Sequence, residues 1–217
     1  MIVTALMVGV IGISYGATAV SSGFPLWFPV VLATTVVAGS SEFVLIGILA
    51  AGGGVPAAVA AGLLLNLRIL PYGMNVHDVI RPGWRRTGDS HLLNDETVAF
   101  ALAETTPGAR RAALHVSGLA ILACWPAGAL AGAAAGSLIA SPSALGLDTV
   151  FPAVIATLVI PGLTGRVRTA ALTGAAITLI AGVALPPGLP ILCSLAGLGI
   201  LLIPDRRAHP TPPGTDP

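Results

Sequence analysis

Lysine is missing from this chain of 217 residues, and charge of either sign is scarce: 9% of residues are charged, against roughly a quarter in a soluble globular domain. Water is therefore excluded as the main solvent. Cysteine is nearly absent too, and Cys124 and Cys193 both sit inside apolar segments. That leaves neither a disulfide framework nor a Cys-x-x-Cys zinc site. His77, His91, His115 and His209 have no metal-ligand spacing, no P-loop string occurs, and no metal or other cofactor is expected. A formal net charge of +1 gives no electrostatic footprint for nucleic acid.

What remains is apolar: 55% of residues are hydrophobic and the mean hydropathy is +0.92. A helical crossing needs about 20 apolar residues, and runs bounded by Gly, Pro and charge predict spans near 2–20, 27–50, 55–70, 112–139, 149–164, 169–185 and 189–203. The expected fold is all-α, a polytopic membrane helix bundle of about seven segments forming one domain over 1–204. The Pro- and Thr-rich stretch 205–217 reads as a disordered cytoplasmic tail. Ala17-Thr18-Ala19 imitates a signal-peptidase site, but no basic residue precedes the apolar run, so residues 2–20 read as a retained first helix.

With seven crossings, Arg81, Arg85, Arg86, Arg110, Arg111, Arg166, Arg168, Arg206 and Arg207 fall on one side, which the positive-inside rule makes cytoplasmic. Arg68, near the end of the third span, can snorkel to the same face, and Pro71 and Gly73 read as the end of that helix. Residues 71–111 form the one long hydrophilic interval. Within it His91–Glu104 reads as a short interfacial or re-entrant helix with Asn94 as N-cap and Asp95 and Glu96 in its first turn.

Gly12-Ile13-Ser14-Tyr15-Gly16 matches the G-x-S-x-G string of serine hydrolases, but it lies within a membrane helix and not on a strand-to-helix elbow. Gly12 and Gly16 then form a small-xxx-small pair for helix packing, a spacing repeated by Gly128, Gly132 and Gly136. No catalytic residues are assigned, and the chain is not expected to be an enzyme. His115, near the start of the fourth span, reads as an interfacial histidine, with a proton relay as the sharper option.

The second span carries Ala38-Gly39-Ser40-Ser41-Glu42 at its middle, where lipid-facing sequence would stay leucine-like, and the helix is expected to break there. A half-helix N-terminus at that depth binds carboxylates, and an intramembrane acid meets an ammonium group or exchanges a proton. The plainer alternative pairs Glu42 with Arg68 or a neighbouring polar residue as a structural lock.

In order along the chain, Ala38-Gly39-Ser40-Ser41-Glu42-Phe43, then Asn66-Leu67-Arg68 with Tyr72-Gly73, then Asn94-Asp95-Glu96-Thr97, and Gly146-Leu147-Asp148 before Phe151-Pro152, resemble the AzlC family, the large subunit of bacterial branched-chain amino acid exporters. The resemblance implies a multi-pass permease of the bacterial cytoplasmic membrane that exports branched-chain amino acids, and related substrates such as methionine, with a small hydrophobic AzlD-like partner. The family typically has glutamine in place of Glu42, histidine in place of Ile69 and threonine in place of Asn94. The matched positions Ser40, Ser41, Asn66, Arg68, Tyr72, Asp95 and Glu96 become site candidates by this resemblance; with Gly39 and the departing Glu42 added, Gly39, Ser40, Ser41, Glu42, Asn66 and Tyr72 are expected at the substrate, and Arg68, Asp95 and Glu96 in a cytoplasmic gate or proton relay. A second reading, a non-transporting membrane scaffold or assembly subunit, rests on the glycine-rich faces alone and has no use for an acid in a broken helix.

Overall fold

A computed structural model describes residues 1–138, 160, 163–186 and 189–202. Among them every regular element is helical, and they fall into two units, Met1–Thr157 and Leu158–Pro217. The expected span 149–164 lies almost wholly, and the tail 205–217 wholly, outside the described residues.

The first unit opens with α1 (Ile2–Ser21), whose small residues face α8 (Pro107–Leu138). A Cβ placed on Gly12 would lie 2.8 Å from the Trp125 carbonyl oxygen, and one on Gly16 would lie 2.7 Å from the Ala133 nitrogen. Gly128, Gly132 and Gly136 meet Gly9, Ile13 and Ala17 in the same way, so the two helices cross backbone on backbone. The G-x-S-x-G string is thus part of this crossing. Outward, α1 shows the reverse of a soluble helix: Ile2 is 78% exposed, while Ser14 and Tyr15 are buried.

The second span is two half-helices, α2 (Trp27–Thr35) and α3 (Ser40–Ala50). Thr34 and Thr35 close α2 by donating their hydroxyls to the Val30 and Val31 carbonyls. Val37 at φ +51 and Gly39 at φ +38 then turn the chain through the left-handed region.

The third span is longer than its sequence suggests. α4 (Val55–Asn66) passes through Leu67 and Arg68 into α5 (Ile69–Asn75), and 55–75 together are long and apolar enough to cross a bilayer. Pro71 does not end the helix, because it sits in the first turn of α5, where its missing N–H would have no helical partner anyway. Tyr72 and Gly73 consequently lie within α5.

The hydrophilic interval holds two short helices, not one. α6 (Arg85–His91) has no apolar periodicity to announce it, and α7 (Asp95–Leu102) starts at Asn94. Asn94 is extended; its side chain accepts the Thr97 N–H at 2.9 Å, and the Thr97 hydroxyl accepts the Asn94 N–H at 3.0 Å. The expected helix over His91–Glu104 is therefore cut at its start by its own cap. α8 begins at Pro107, earlier than 112, and takes in Arg110 and Arg111, which tie back to Asp78 and to the carbonyls of Asn75 and Val79.

In the second unit α9 (Gly165–Ala184) includes Arg166 and Arg168, which the sequence places in a loop. Leu179, Ile180 and Val183 are at least 75% exposed, an outward apolar face suited to lipid. The expected span 189–203 is short pieces: α10 (Leu189–Cys193), a 3-10 turn (Ser194–Leu198) and α11 (Gly199–Leu202). Four helices among the described residues, α1, α4 with α5, α8 and α9, are long and apolar enough to span a bilayer.

Candidate functional site

The break between α2 and α3 removes backbone bonds that a continuous helix would make, and side chains take them up. Glu42, at the third position of α3, folds back so that Oε1 accepts the Ala38 N–H at 3.0 Å. This is the geometry of a capping carboxylate at a helix N-terminus, favoured by the helix dipole. Its second support comes from far along the chain: the Trp125 indole N–H of α8 donates at 3.2 Å to each carboxylate oxygen. The Trp125 ring stacks on Tyr15 at 5.2 Å, Phe43 meets Tyr15 edge-on at 5.1 Å, and the Tyr15 hydroxyl lies beside the acid. Glu42 is 1% exposed, and no cation pairs with it among the described residues.

Glu42 also borders a cavity of about 180 Å³ between α2, α3 and α4. Its polar lining is Ser41, Glu42 and Asn66; Leu32, Val36, Leu45, Val59 and Leu63 supply the apolar wall. Ser41 Oγ and Asn66 Oδ1 are buried with no hydrogen-bond partner among the described residues. A buried polar atom without a partner costs about 1–3 kcal/mol, so two on one small cavity, next to a carboxylate, leave it with unspent acceptors and one hydroxyl that can accept or donate. Such a cavity suits an ammonium head group with an apolar side chain.

Arg68 makes a second cluster. Its guanidinium reaches Asp95 at 2.6 Å, the Ser40 hydroxyl at 2.7 Å and, more weakly, the Ala38 carbonyl at 3.5 Å. Arg68 is thus neither a free boundary arginine nor the partner of Glu42. Tyr72 lies beside the Asp95 carboxylate, away from the cavity lining. Glu96 is half-buried next to the same acid; burial pushes its carboxyl up, Asp95 adds to this and Arg68 opposes it.

The proposed site residues therefore divide. Ser41, Glu42 and Asn66 share the cavity, Gly39 shapes the break, Ser40 turns to Arg68, and Tyr72, Asp95 and Glu96 stand with the arginine. Sequence reasoning missed Trp125 and Tyr15. The available signal was the scarcity of aromatics, which makes a tryptophan and a tyrosine within glycine-rich spans worth singling out.

It also missed a network on the loop. Asp89, whose side chain is wholly buried, accepts the Arg81 Nε–H at 3.0 Å and the Arg81 backbone N–H at 2.8 Å, and meets His115 Nε2 at 2.9 Å. The Arg81 guanidinium holds the Asp89 carboxyl well below the usual carboxylate range. His115 is therefore a partner of the loop at the base of α8. No group of three or more His, Cys, Asp or Glu suited to a metal ion occurs among the described residues.

A family model described as AzlC protein matches residues 3–139, which covers the broken helix, the cavity and the Arg68 cluster. The fragment 146–152 falls outside both that match and the described residues. No curated protein and no solved structure matches the chain.

Proposed function

The chain belongs to the AzlC family, a family of membrane transport, and from that premise we propose that it is the large subunit of a secondary exporter of branched-chain amino acids, with methionine as a related substrate. The observation that carries this reading is the cavity at the broken helix, with buried Glu42 and the unpartnered Ser41 and Asn66 oxygens on one side and a leucine and valine wall on the other. The substrate ammonium donates to Glu42 and Asn66 Oδ1, the Ser41 hydroxyl donates to the substrate carboxylate, and the branched side chain packs on Leu32, Val36, Leu45, Val59 and Leu63. Glu42 is the proton-coupling group, because it is the acid that lines that cavity. Arg68, Asp95 and Glu96 form the gate toward the cytoplasm, the side assigned by the arginine distribution. The setting is the bacterial cytoplasmic membrane, and the partner is a small hydrophobic AzlD-like subunit.

One observation favours a second reading, a membrane scaffold: Glu42 also caps its own half-helix, and the α1–α8 crossing is built for close association. Feeding cells dipeptides of leucine, valine, isoleucine and methionine, with and without this chain and its partner, separates the two. Lower intracellular pools of these amino acids when both subunits are present support export. Pools that stay unchanged, with both subunits in the membrane, favour the scaffold.

A further inference from the structure

A second cavity, of about 690 Å³, opens beside the end of the α4–α5 span and has no part in the transport reading. Its walls are Leu70, Met74, Ile80 and Leu93, and its polar lining includes His77, Arg81 and Arg86. The cations differ in how they are held. Arg81 is committed to Asp89, whereas Arg86 is exposed and its guanidinium makes no ion pair or hydrogen bond among the described residues. His77 turns Nδ1 to the Met74 carbonyl at 2.9 Å, which leaves Nε2 free.

Two further observations fix the surroundings. Leu70 and Met74 are 65% and 75% exposed on a segment apolar enough to lie in the bilayer, so hydrocarbon is their neighbour. Trp84, close in sequence to Arg86, is 83% exposed with the Arg85 guanidinium 5.7 Å from its ring centre, the tryptophan and arginine pairing found at headgroup level.

The geometry points to a binding site for an anionic phospholipid: Arg86 and His77 take the phosphate, and the first methylenes of an acyl chain lie along Leu70, Met74, Ile80 and Leu93. Charge complementarity commits the site to lipid. The groove joins an unpaired cation to an apolar floor at bilayer depth, and a basic pocket at the end of a transmembrane helix selects anionic headgroups. A free anion would leave the floor bare, and a purely apolar helix of a partner would bury Arg86 without a counter-charge.

The test is native mass spectrometry of the purified full chain, released from detergent micelles after equilibration with equal amounts of phosphatidylglycerol and phosphatidylcholine of matched chains. Wild type retains phosphatidylglycerol preferentially, and Arg86→Gln lowers that retention by about fivefold, the weight of one surface cation at an anionic membrane. Arg85→Gln, which changes the same net charge outside the groove, lowers it by less than about twofold. Ile80→Trp, which fills the floor, lowers retention of phosphatidylglycerol as Arg86→Gln does.

Equal retention of the two lipids by wild type overturns the inference, as does an equal effect of the two arginine variants. So does full displacement by soluble glycerol phosphate, which would make the groove a simple anion site. Displacement by a co-purified small subunit, with retention unchanged in Arg86→Gln, would assign the groove to a protein partner and overturn it too. None of these readouts depends on transport.

Discussion

Replacing Glu42 by glutamine separates the two tasks of its carboxylate. As an element of the fold, it accepts the Ala38 N–H at 3.0 Å and the Trp125 indole N–H at 3.2 Å to each oxygen. Both donors reach Oε1, so a glutamine carbonyl placed there keeps the two bonds as neutral ones, while its amide nitrogen replaces the Oε2 that the Trp125 indole also reaches. Hydrogen bonds to a charged group contribute about 1.5–3 kcal/mol and neutral ones about 0.5–1.5 kcal/mol. The swap therefore costs on the order of 1–3 kcal/mol, within an overall stability of about 5–15 kcal/mol, and the variant folds. In its proposed role as proton carrier, the side chain is removed outright. In proteoliposomes holding the chain and its small partner, leucine efflux by wild type changes by up to about tenfold per pH unit on its titrating limb, while efflux by Glu42→Gln is flat over the same range. A thermal melt of the purified variant checks that it is folded. A folded variant that keeps both the rate and the pH profile of wild type refutes the coupling role and leaves Glu42 as a helix cap.

Three further outcomes follow from the same geometry. Gly132→Ala puts a Cβ 2.7 Å from Ile13 Cα and forces α1 from α8, which lowers stability by about 1–3 kcal/mol, whereas Gly47→Ala, with nothing within 4 Å, leaves the melt unchanged or higher. Equal melts for the two variants would contradict the backbone-on-backbone crossing. Asp89→Asn loses the Arg81 pair, which screening at the exposed guanidinium weakens, and so lowers the melt. Since the folded pKa of Asp89 is depressed, the contribution is present above the ordinary carboxylate value and fades as pH falls toward the folded one. The gap between the melts of wild type and Asp89→Asn then narrows as pH falls below about pH 4; a gap that widens as pH falls from about 4 would reverse the sign. Trp125→Phe keeps a ring against Tyr15 but deletes the indole donor, at about 1.5–3 kcal/mol. A melt and efflux pH profile both unchanged would show that the indole does not hold the acid.

Local chemistry makes part of this site legible in the sequence. The run Ala38-Gly39-Ser40-Ser41-Glu42 has too many small and polar residues for a lipid-facing helix, and the chain breaks beside it; Asn94 caps α7 as its side chain dictates. The spacing of Gly128, Gly132 and Gly136 predicts a helix crossing, though not that its partner is α1. What stayed hidden is non-local or non-periodic. Trp125 lies 83 positions from the acid it holds, and no spacing rule connects them. α6 is Arg-Arg-Thr-Gly-Asp-Ser-His, polar throughout, and its helical form depends on Asp89 being gripped by Arg81 and His115. Pro71 read as a helix stop because a proline in the first turn of a new helix and one just past the end of an old helix look alike in sequence.

The break itself supplies a link between the cavity and the Arg68 cluster. In a continuous helix, both the N–H and the C=O of Ala38 would be spent on partners four residues away. Here Val37 and Gly39 on either side adopt positive φ, a conformation that costs a β-branched residue about 1–3 kcal/mol and persists because surrounding contacts hold it. The result is that Ala38 turns its N–H to Glu42 at 3.0 Å and its carbonyl to the Ser40 hydroxyl at 3.2 Å, with Arg68 at 3.5 Å. A single residue is thus bonded to the cavity acid through its amide and to the Arg68–Asp95 cluster through its carbonyl. A proton arriving on Glu42 weakens the first bond, since a charged acceptor binds an N–H roughly twice as strongly as a neutral one. A weaker hold on the Ala38 N–H acts on the same residue whose carbonyl Ser40 and Arg68 share. On the proposed function, with Glu42 as the coupling acid and Arg68–Asp95 as the gate, the two are joined through one backbone residue, with no need for Glu42 and Arg68 to touch.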